Sequence, residues 1–163
     1  VAEVVSPVGR QVPPPDRGHS AAHCRSRLER TNPMEIDRAD VVAEVTTAFA
    51  GYEQALVDGD AERICGYFWD SDRTVRFGLA DHQYGLEEQR KWRAAQPPLP
   101  PGRRLVDPVI TTFGLDLAVV TTRFGYVGTA ATGRQTQTWV RLPVGWRIVT
   151  AHVSEPLPAA PEV

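Results

Sequence analysis

The chain has 163 residues, 42% of them apolar and 23% charged, and a formal net charge of −2. That length suits one domain rather than two, and the composition is ordinary for a globular protein, which sets aside fibres and wholly disordered chains. A near-neutral balance lacks the clustered basic excess of nucleic-acid binders, and nowhere does the chain run through the roughly eighteen apolar residues that a spanning helix needs.

Residues 1–33 differ from the rest. They hold five of the 14 prolines, five arginines against three acids, and no aromatic residue, since every Phe, Tyr and Trp lies at Phe49 or later. Such a segment buries too little apolar area to offset an ordering cost of roughly 1–2 kcal/mol per residue, so it is expected to be disordered, as is the tail 157–163. The single methionine, Met34, directly precedes the first helical signal while residue 1 is Val, which points to Met34 as the natural start. The opening VAEVVSPVGRQVPPPD has no basic stretch ahead of an apolar one, and Cys24 and Cys65 form no CxxC, so a reducing, cytoplasmic setting is expected. His19 and His23 stand four apart, but in this context no metal role is assigned.

From Met34 onward the pattern is regular. Asp37 reads as the N-cap of a helix to about Val57, with Val41, Val45, Ala48, Phe49, Tyr52, Ala55 and Leu56 on one buried stripe. Gly59 stops it, and Asp60 caps a short second helix to about Tyr67. Residues 74–77 read as a strand ending at Gly78. A third helix follows Gly85, with Leu86, Trp92 and Ala95 inward, and ends at the PPLPPG run of 97–102. The runs 106–113, 117–127, 134–142 and 146–154 are rich in β-branched and aromatic residues and separated by Gly-, Asp- or Pro-containing turns, which predicts a four-stranded antiparallel meander. Helices first and a bent sheet last is an α+β layout. A sheet curled round a helix leaves a cone whose open mouth suits a small ligand.

Several residues sit uneasily in a plain core. Tyr52 carries a hydroxyl inward on the apolar stripe, either to one core partner or into a cavity. Arg76 lies opposite Val75 and Phe77 in TVRF. It either pairs with a nearby acid or clamps a carboxylate, which its planar fork matches. In RQTQTWVR one face carries Gln135, Gln137, Trp139 and Arg141, so the strand borders either a polar cavity or a subunit interface. His152 closes the last strand on the face expected to hold Trp146, Ile148 and Thr150. No Ser–His–Asp order, HExxH, phosphate loop or GxGxxG occurs, so neither metal nor other cofactor is expected. Apolar residues on both faces of the meander, such as Val119 with Val120, suit a homo-oligomer, a dimer or tetramer.

The strings AFAGYEQALVDGD, FWDSDRTVRFG, QYG, ITTFGLDLA, GRQTQTWVR and GWRIVTAHVS resemble the AtzH-like family, also called the HpxZ-like oxalurate-catabolism proteins. That family lies in the nuclear transport factor 2-like superfamily, together with the SnoaL-like enzymes. The match runs from about Met34 to Ser154 and is most specific in TVRFG, GRQTQTWV and GWRI. It implies a cone-shaped α+β fold and a role in breaking down ureido acids, such as conversion of 1,3-dicarboxyurea to allophanate. The family's important tyrosine and arginine match Tyr52 and Arg76. Where its third helix reads YGxxxIxxFRxAR, this chain has Gln89 for the apolar residue and Gln96 for the last arginine, and it keeps Arg93.

The reading that follows is an enzyme without cofactor. Arg76 pairs with a substrate carboxylate and Tyr52 donates a proton as an N–CO2 bond breaks, with Gln135, Gln137, Trp139, His152 and Arg93 holding a small anionic ureido acid. Two alternatives stand beside it. One is a ligand-binding accessory of an amidase pathway; the other is a SnoaL-like isomerase or dehydratase, against which the lack of an evident inward Asp on the strands counts.

Overall fold

The computed structural model describes residues 34–128 and 132–156. The expectations for residues 1–33 and 157–163, including the start at Met34 and the His19/His23 pair, lie outside them.

Helix α1 (Ala39–Asp58) forms because its apolar residues recur at three- and four-residue steps, and Val41, Val45, Phe49, Tyr52, Ala55 and Leu56 are all buried along one stripe. The valine, leucine and phenylalanine side chains among them contribute roughly 1.5–3 kcal/mol each. Gly59 takes the left-handed conformation at φ 68°, which lets the Asp60 N–H reach back to the Ala55 carbonyl and close the helix as expected. Asp60 then caps α2 (Ala61–Gly66), accepting from the Arg63 N–H at 3.0 Å.

The N-terminal end of α1 corrects the reading of Asp37. Arg38 is the N-cap residue and caps with no side-chain bond. Asp37 stands outside the helix at φ 55° and ties the chain to the sheet: its N–H donates to the Thr112 carbonyl at 3.1 Å, and its Oδ1 accepts from the Thr112 N–H at 2.9 Å. An acid before an apolar helix serves a cap and a sheet tether equally well by composition, and the tertiary partner decides between them.

The rest is β1 (Val75–Phe77), β2 (His82–Tyr84), α3 (Leu86–Ala94), β3 (Arg104–Phe113), β4 (Leu117–Gly125), β5 (Gly133–Leu142) and β6 (Gly145–Ser154). They form one six-stranded sheet in the order β2-β1-β6-β5-β4-β3, in which only the β1–β6 pair is parallel. The expected meander is therefore four of its six strands. Strand β2 escaped the sequence because His-Gln-Tyr is too short to show alternation. In α3, Leu86 is buried and Trp92 half-buried, but Ala95 falls past the helix end and is exposed. Gln89 takes the inward place instead.

One apolar cluster joins the α1 stripe to Ile64 and Phe68 and to the inward residues Ala118, Val120, Trp139 and Ile148 of the sheet. Glu44 pins α1 to the far end of the sheet, accepting from Trp146 Nε1 at 3.0 Å and pairing with Arg141 at 2.7 Å. Among the described residues no helix is long and apolar enough to cross a membrane.

Asp37→Ala loses the acceptor for Thr112 and places an ordinary side chain in the left-handed region, and is expected to cost about 1–2 kcal/mol. Asp37→Asn keeps both the acceptor and tolerance of that conformation, and should cost under ~0.5 kcal/mol. Urea denaturation of the two variants checks the pair; equal midpoints would remove Asp37 from the tether.

Candidate functional site

The sheet's inner face carries a polar row. Cross-strand pairing sets Gln83 of β2 beside Arg76 of β1, Arg76 beside Ala151 of β6, and Ala151 beside Gln137 of β5. The small Ala151 between two long polar side chains leaves space above it. That space is a cavity of about 390 Å³, walled by the sheet, by α1 through Tyr52 and Leu56, and by α3 through Trp92 and Arg93. Tyr52 and Arg76, expected to face one hollow, do so.

Tyr52 is 4% exposed, and among the described residues its side chain is held by rings. Tyr67, Phe68 and Trp139 meet it edge-on at 5.9, 6.0 and 6.2 Å between centroids. Burial pushes the phenol's pKa above its ordinary value and the neighbouring Glu53 charge pushes the same way, while Arg93, Arg76 and Arg103 pull it back. The resting group is therefore the neutral phenol, close to cations that would favour its anion.

The three arginines lining the cavity differ in what answers their charge. Arg76 donates from Nη1 to Asp81 Oδ2 at 2.6 Å and to Gln83 Oε1 at 2.9 Å, and its guanidinium lies 4.3 Å from the Trp92 ring centre. Arg103 donates from Nε to Glu53 Oε2 at 2.8 Å and from Nη2 to Gln135 Oε1 at 3.1 Å, and rests 4.3 Å over Phe124. Arg93 meets no carboxylate among the described residues. Its Nε is buried without an acceptor, its guanidinium stacks 4.7 Å from Trp92, and burial, with Arg76 adding to it, lowers its pKa against the pull of Tyr52.

Of the amides, Gln135 is already engaged at both ends: Nε2 donates to Glu53 Oε1 at 2.9 Å and Oε1 accepts from Arg103. It completes a closed triangle at the cavity wall. Gln137, 1% exposed, accepts on Oε1 from Trp139 Nε1 at 3.1 Å, while its Nε2 has no partner among the described residues. Trp139 itself is fully buried and does not line the cavity. It fixes which way the Gln137 amide faces, so a donor, not an acceptor, is left over.

His152 is a correction. It is exposed, on the sheet's outer face, with its ring 5.9 Å from that of Phe77. The reason is a bulge: Thr138 pairs with Thr150 and Trp139 with Ile148, leaving Val149 without a partner. Past Val149 the alternation is reversed, so Ala151 and Val153 face the cavity and Thr150 and His152 face out.

Glu53, Asp81, Arg103 and Tyr126, whose hydroxyl is 3.4 Å from Arg103 Nη1, are among the residues of the site that were not foreseen. Glu53 had a signal, since it lies four residues after Phe49 and three before Leu56, on the edge of the buried stripe. Asp81 in the loop GLADH had none. Arg103 is one of an adjacent pair with Arg104, and nothing local distinguishes the inward one. Asp81 also supplies the inward acid that the strands appeared to lack, though it comes from a loop and is tied to Arg76.

Arg103→Met leaves Glu53 buried without its cation and is expected to destabilise by about 3–5 kcal/mol. Adding Glu53→Gln should return at least half of that loss, because the orphaned charge is then gone. A denaturation double-mutant cycle checks it; additive losses would mean the pair is not coupled.

A family model described as AtzH-like matches residues 34–157. A protein of unknown function from Pectobacterium atrosepticum is 47% identical, over 75% of this chain and 95% of its own, with a TM-score of 0.72. A cystatin-like fold protein from Burkholderia xenovorans is 48% identical, over 77% of this chain and 99% of its own, with a TM-score of 0.73. A nuclear transport factor 2-like superfamily protein from Salmonella enterica, 23% identical over 75% of this chain and 95% of its own, has a TM-score of 0.61 and shares the fold alone. Among curated proteins none matches the chain. With its α+β layout, N-terminal helices and curved sheet, the chain has the nuclear transport factor 2-like fold and belongs to the AtzH-like family.

Proposed function

We propose that the protein is a cofactor-independent cytoplasmic enzyme of ureido-acid breakdown, which removes the carboxyl group of an N-carboxyurea such as 1,3-dicarboxyurea. The observation that carries this reading is one cavity lined at once by a neutral buried phenol, Tyr52, a half-buried guanidinium, Arg93, and an amide, Gln137, where among the described residues the guanidinium meets no carboxylate and the amide Nε2 no acceptor. Such donors suit a carboxylate, and the phenol suits proton transfer to the nitrogen that bears it.

The step balances simply. The N–C bond to the carboxylate breaks with its electron pair going to nitrogen, Tyr52 gives that nitrogen its proton, and CO2 departs. Solvent then reprotonates the phenolate, so one proton is consumed for each CO2 released. Arg93 and Gln137 hold the carboxylate before it leaves, and the unused N–H groups of Arg76 orient the urea while its Nη1 stays on Asp81 and Gln83. The three arginines stabilise the transient phenolate. Proton donation of this kind is worth about 10²–10⁴-fold.

Tyr52→Phe is therefore expected to leave binding of ureido acids within about threefold and to cut CO2 release at least tenfold, measured with a panel of N-carboxyureas and product detection. Equal turnover in both proteins would remove the phenol from the chemistry, and binding without CO2 release in the wild type would make the protein an accessory binder. The pH profile gives a separate check. Because the Tyr52 pKa is raised, its proton is held to higher pH than that of an ordinary phenol, which titrates near 10. Turnover should not fall between pH 7 and pH 9 through loss of this proton; a fall in that window that disappears in Tyr52→Phe would show that the phenol's pKa is not raised.

A further inference from the structure

Two of the three arginines on the cavity wall share one wiring, and in the third it is incomplete. Arg76 donates from Nη1 to Asp81 Oδ2 at 2.6 Å and to Gln83 Oε1 at 2.9 Å, and Gln83 Nε2 donates to the same Asp81 oxygen at 2.9 Å. Arg103 repeats the pattern with Glu53 and Gln135. Its Nη2 donates to Gln135 Oε1 at 3.1 Å and to Glu53 Oε1 at 3.3 Å, and Gln135 Nε2 donates to that Glu53 oxygen at 2.9 Å. Each guanidinium is closed into a triangle by one carboxylate and one glutamine, whose carbonyl oxygen takes the cation and whose amide nitrogen takes the acid.

Arg93 has neither partner in place. Its Nε is buried without an acceptor, and no carboxylate meets it among the described residues. One turn before it on α3 stands Gln89, 1% exposed, whose Oε1 and Nε2 are both buried without a partner among the described residues. Residues four apart lie on one helix face, close enough for their side chains to meet. A buried amide with both ends unspent is a cost to the fold, so its place beside a guanidinium in the same condition asks for a partner from outside the chain. The other nearby amides do not fit the vacancy in the wiring. Gln137 Oε1 is already taken by Trp139 Nε1, which leaves it a donor only, and Gln96 is exposed, so solvent satisfies its amide.

We infer that Gln89 is the positioning residue of Arg93, and that the carboxylate of a bound ureido acid supplies the acid that completes this third triangle. On binding, the Gln89 carbonyl oxygen accepts from Arg93, as Gln83 and Gln135 accept from their arginines, and Gln89 Nε2 donates to the carboxylate oxygen that Arg93 holds. Gln89 stands off the cavity wall, so it meets the ligand only through this triangle. The inference rests on the proposed anion-binding role of the cavity and deepens it. The carboxylate that leaves is read at Arg93, and Arg76 keeps its unused N–H groups for the rest of the molecule, a second carboxylate included.

Calorimetry with N,N′-carbonyldiglycine, a stable dianionic urea, and with its neutral dimethyl ester tests this, beside thermal unfolding of the same proteins. Gln89→Met keeps the volume and removes both orphaned polar atoms. It should weaken dianion binding roughly tenfold or more, the worth of one charge-assisted hydrogen bond, while the melting temperature rises or holds. Gln89→Glu places the acid inside the chain, so Arg93 is answered without a ligand and dianion binding should be lost. In an Arg93→Met background, Gln89→Met should change binding less than about threefold, a coupling that a merely structural amide would not show. In turnover of N-carboxyureas the Gln89→Met loss should fall on KM, with kcat within about threefold, since the phenol is untouched. Dianion binding unchanged in both Gln89 variants, or a lowered melting temperature in Gln89→Met with no coupling to Arg93, overturns the role of Gln89 while the anion site stands. A diester bound by the wild type as tightly as the dianion, or no binding of either probe, overturns the anion site itself and the triangle with it.

Discussion

A guanidinium taken out of water must be answered, and the way three of them are answered shapes this protein. Two are met by carboxylates from neighbouring segments, Asp81 from the β1–β2 loop and Glu53 from α1. Arg103 and Glu53 lie fifty residues apart, and Gln135 closes the same triangle from a third element. Neither pair is a large source of net stability, since the cost of desolvation offsets much of the attraction. Their effect is on geometry: each holds an arginine at the wall, where its remaining edge faces the cavity.

Aromatic surfaces do the rest of the work of keeping cations close together. Trp92 is within 4.3 Å of the Arg76 guanidinium and 4.7 Å of that of Arg93, so one indole serves two like charges that would otherwise repel through poorly screened space. Phe124 plays the same part beneath Arg103 at 4.3 Å. That second stack explains the glycine opening the GRQTQTWV string. A Cβ on Gly133 would lie 2.1 Å from the Phe124 ring, so only glycine admits the ring that supports Arg103. A motif that reads as a turn residue before a strand is thus a cavity residue at one remove.

The helices, their stops at Gly59 and Asp60, and the four long strands were legible because each rests on local pattern: a stripe, a cap, a run of β-branched residues between turns. So were Tyr52, Arg76 and Gln137, which stood out as polar groups within strands or on an apolar stripe, whereas Arg93 was singled out only by the family resemblance of the third helix. What was not legible depended on long-range pairing. The face of His152 follows from strict alternation unless a bulge intervenes, and a bulge at Val149 has no signature in GWRIVTAHVS. Reversing the alternation there exchanges a histidine for Ala151 in the polar row between Arg76 and Gln137. A ring in place of that methyl group would take up part of the hollow above the row. Asp37 and Gln135 show the same limit, for their chemistry was visible in the sequence while their partners, Thr112 and Glu53, were not.

The phenol of Tyr52 illustrates how packing can position a polar group without engaging its hydroxyl. A buried tyrosine ordinarily spends its hydroxyl on a hydrogen bond that also fixes the ring. Here the ring is fixed by other rings, and the wall they make is itself tightly specified: a Cβ on Gly51 would fall 2.1 Å from the Tyr67 hydroxyl, so the residue preceding Tyr52 must be glycine for Tyr67 to lie against it. Tyr67 and Trp139 also pack on each other at 6.3 Å, and Trp139 carries the hydrogen bond that orients Gln137. One aromatic cluster therefore sets the position of the phenol and the direction of the free amide together. Among the described residues the phenol hydroxyl and the Gln137 Nε2 are left without partners, because rings restrain the first and a bond to the opposite end of the amide restrains the second.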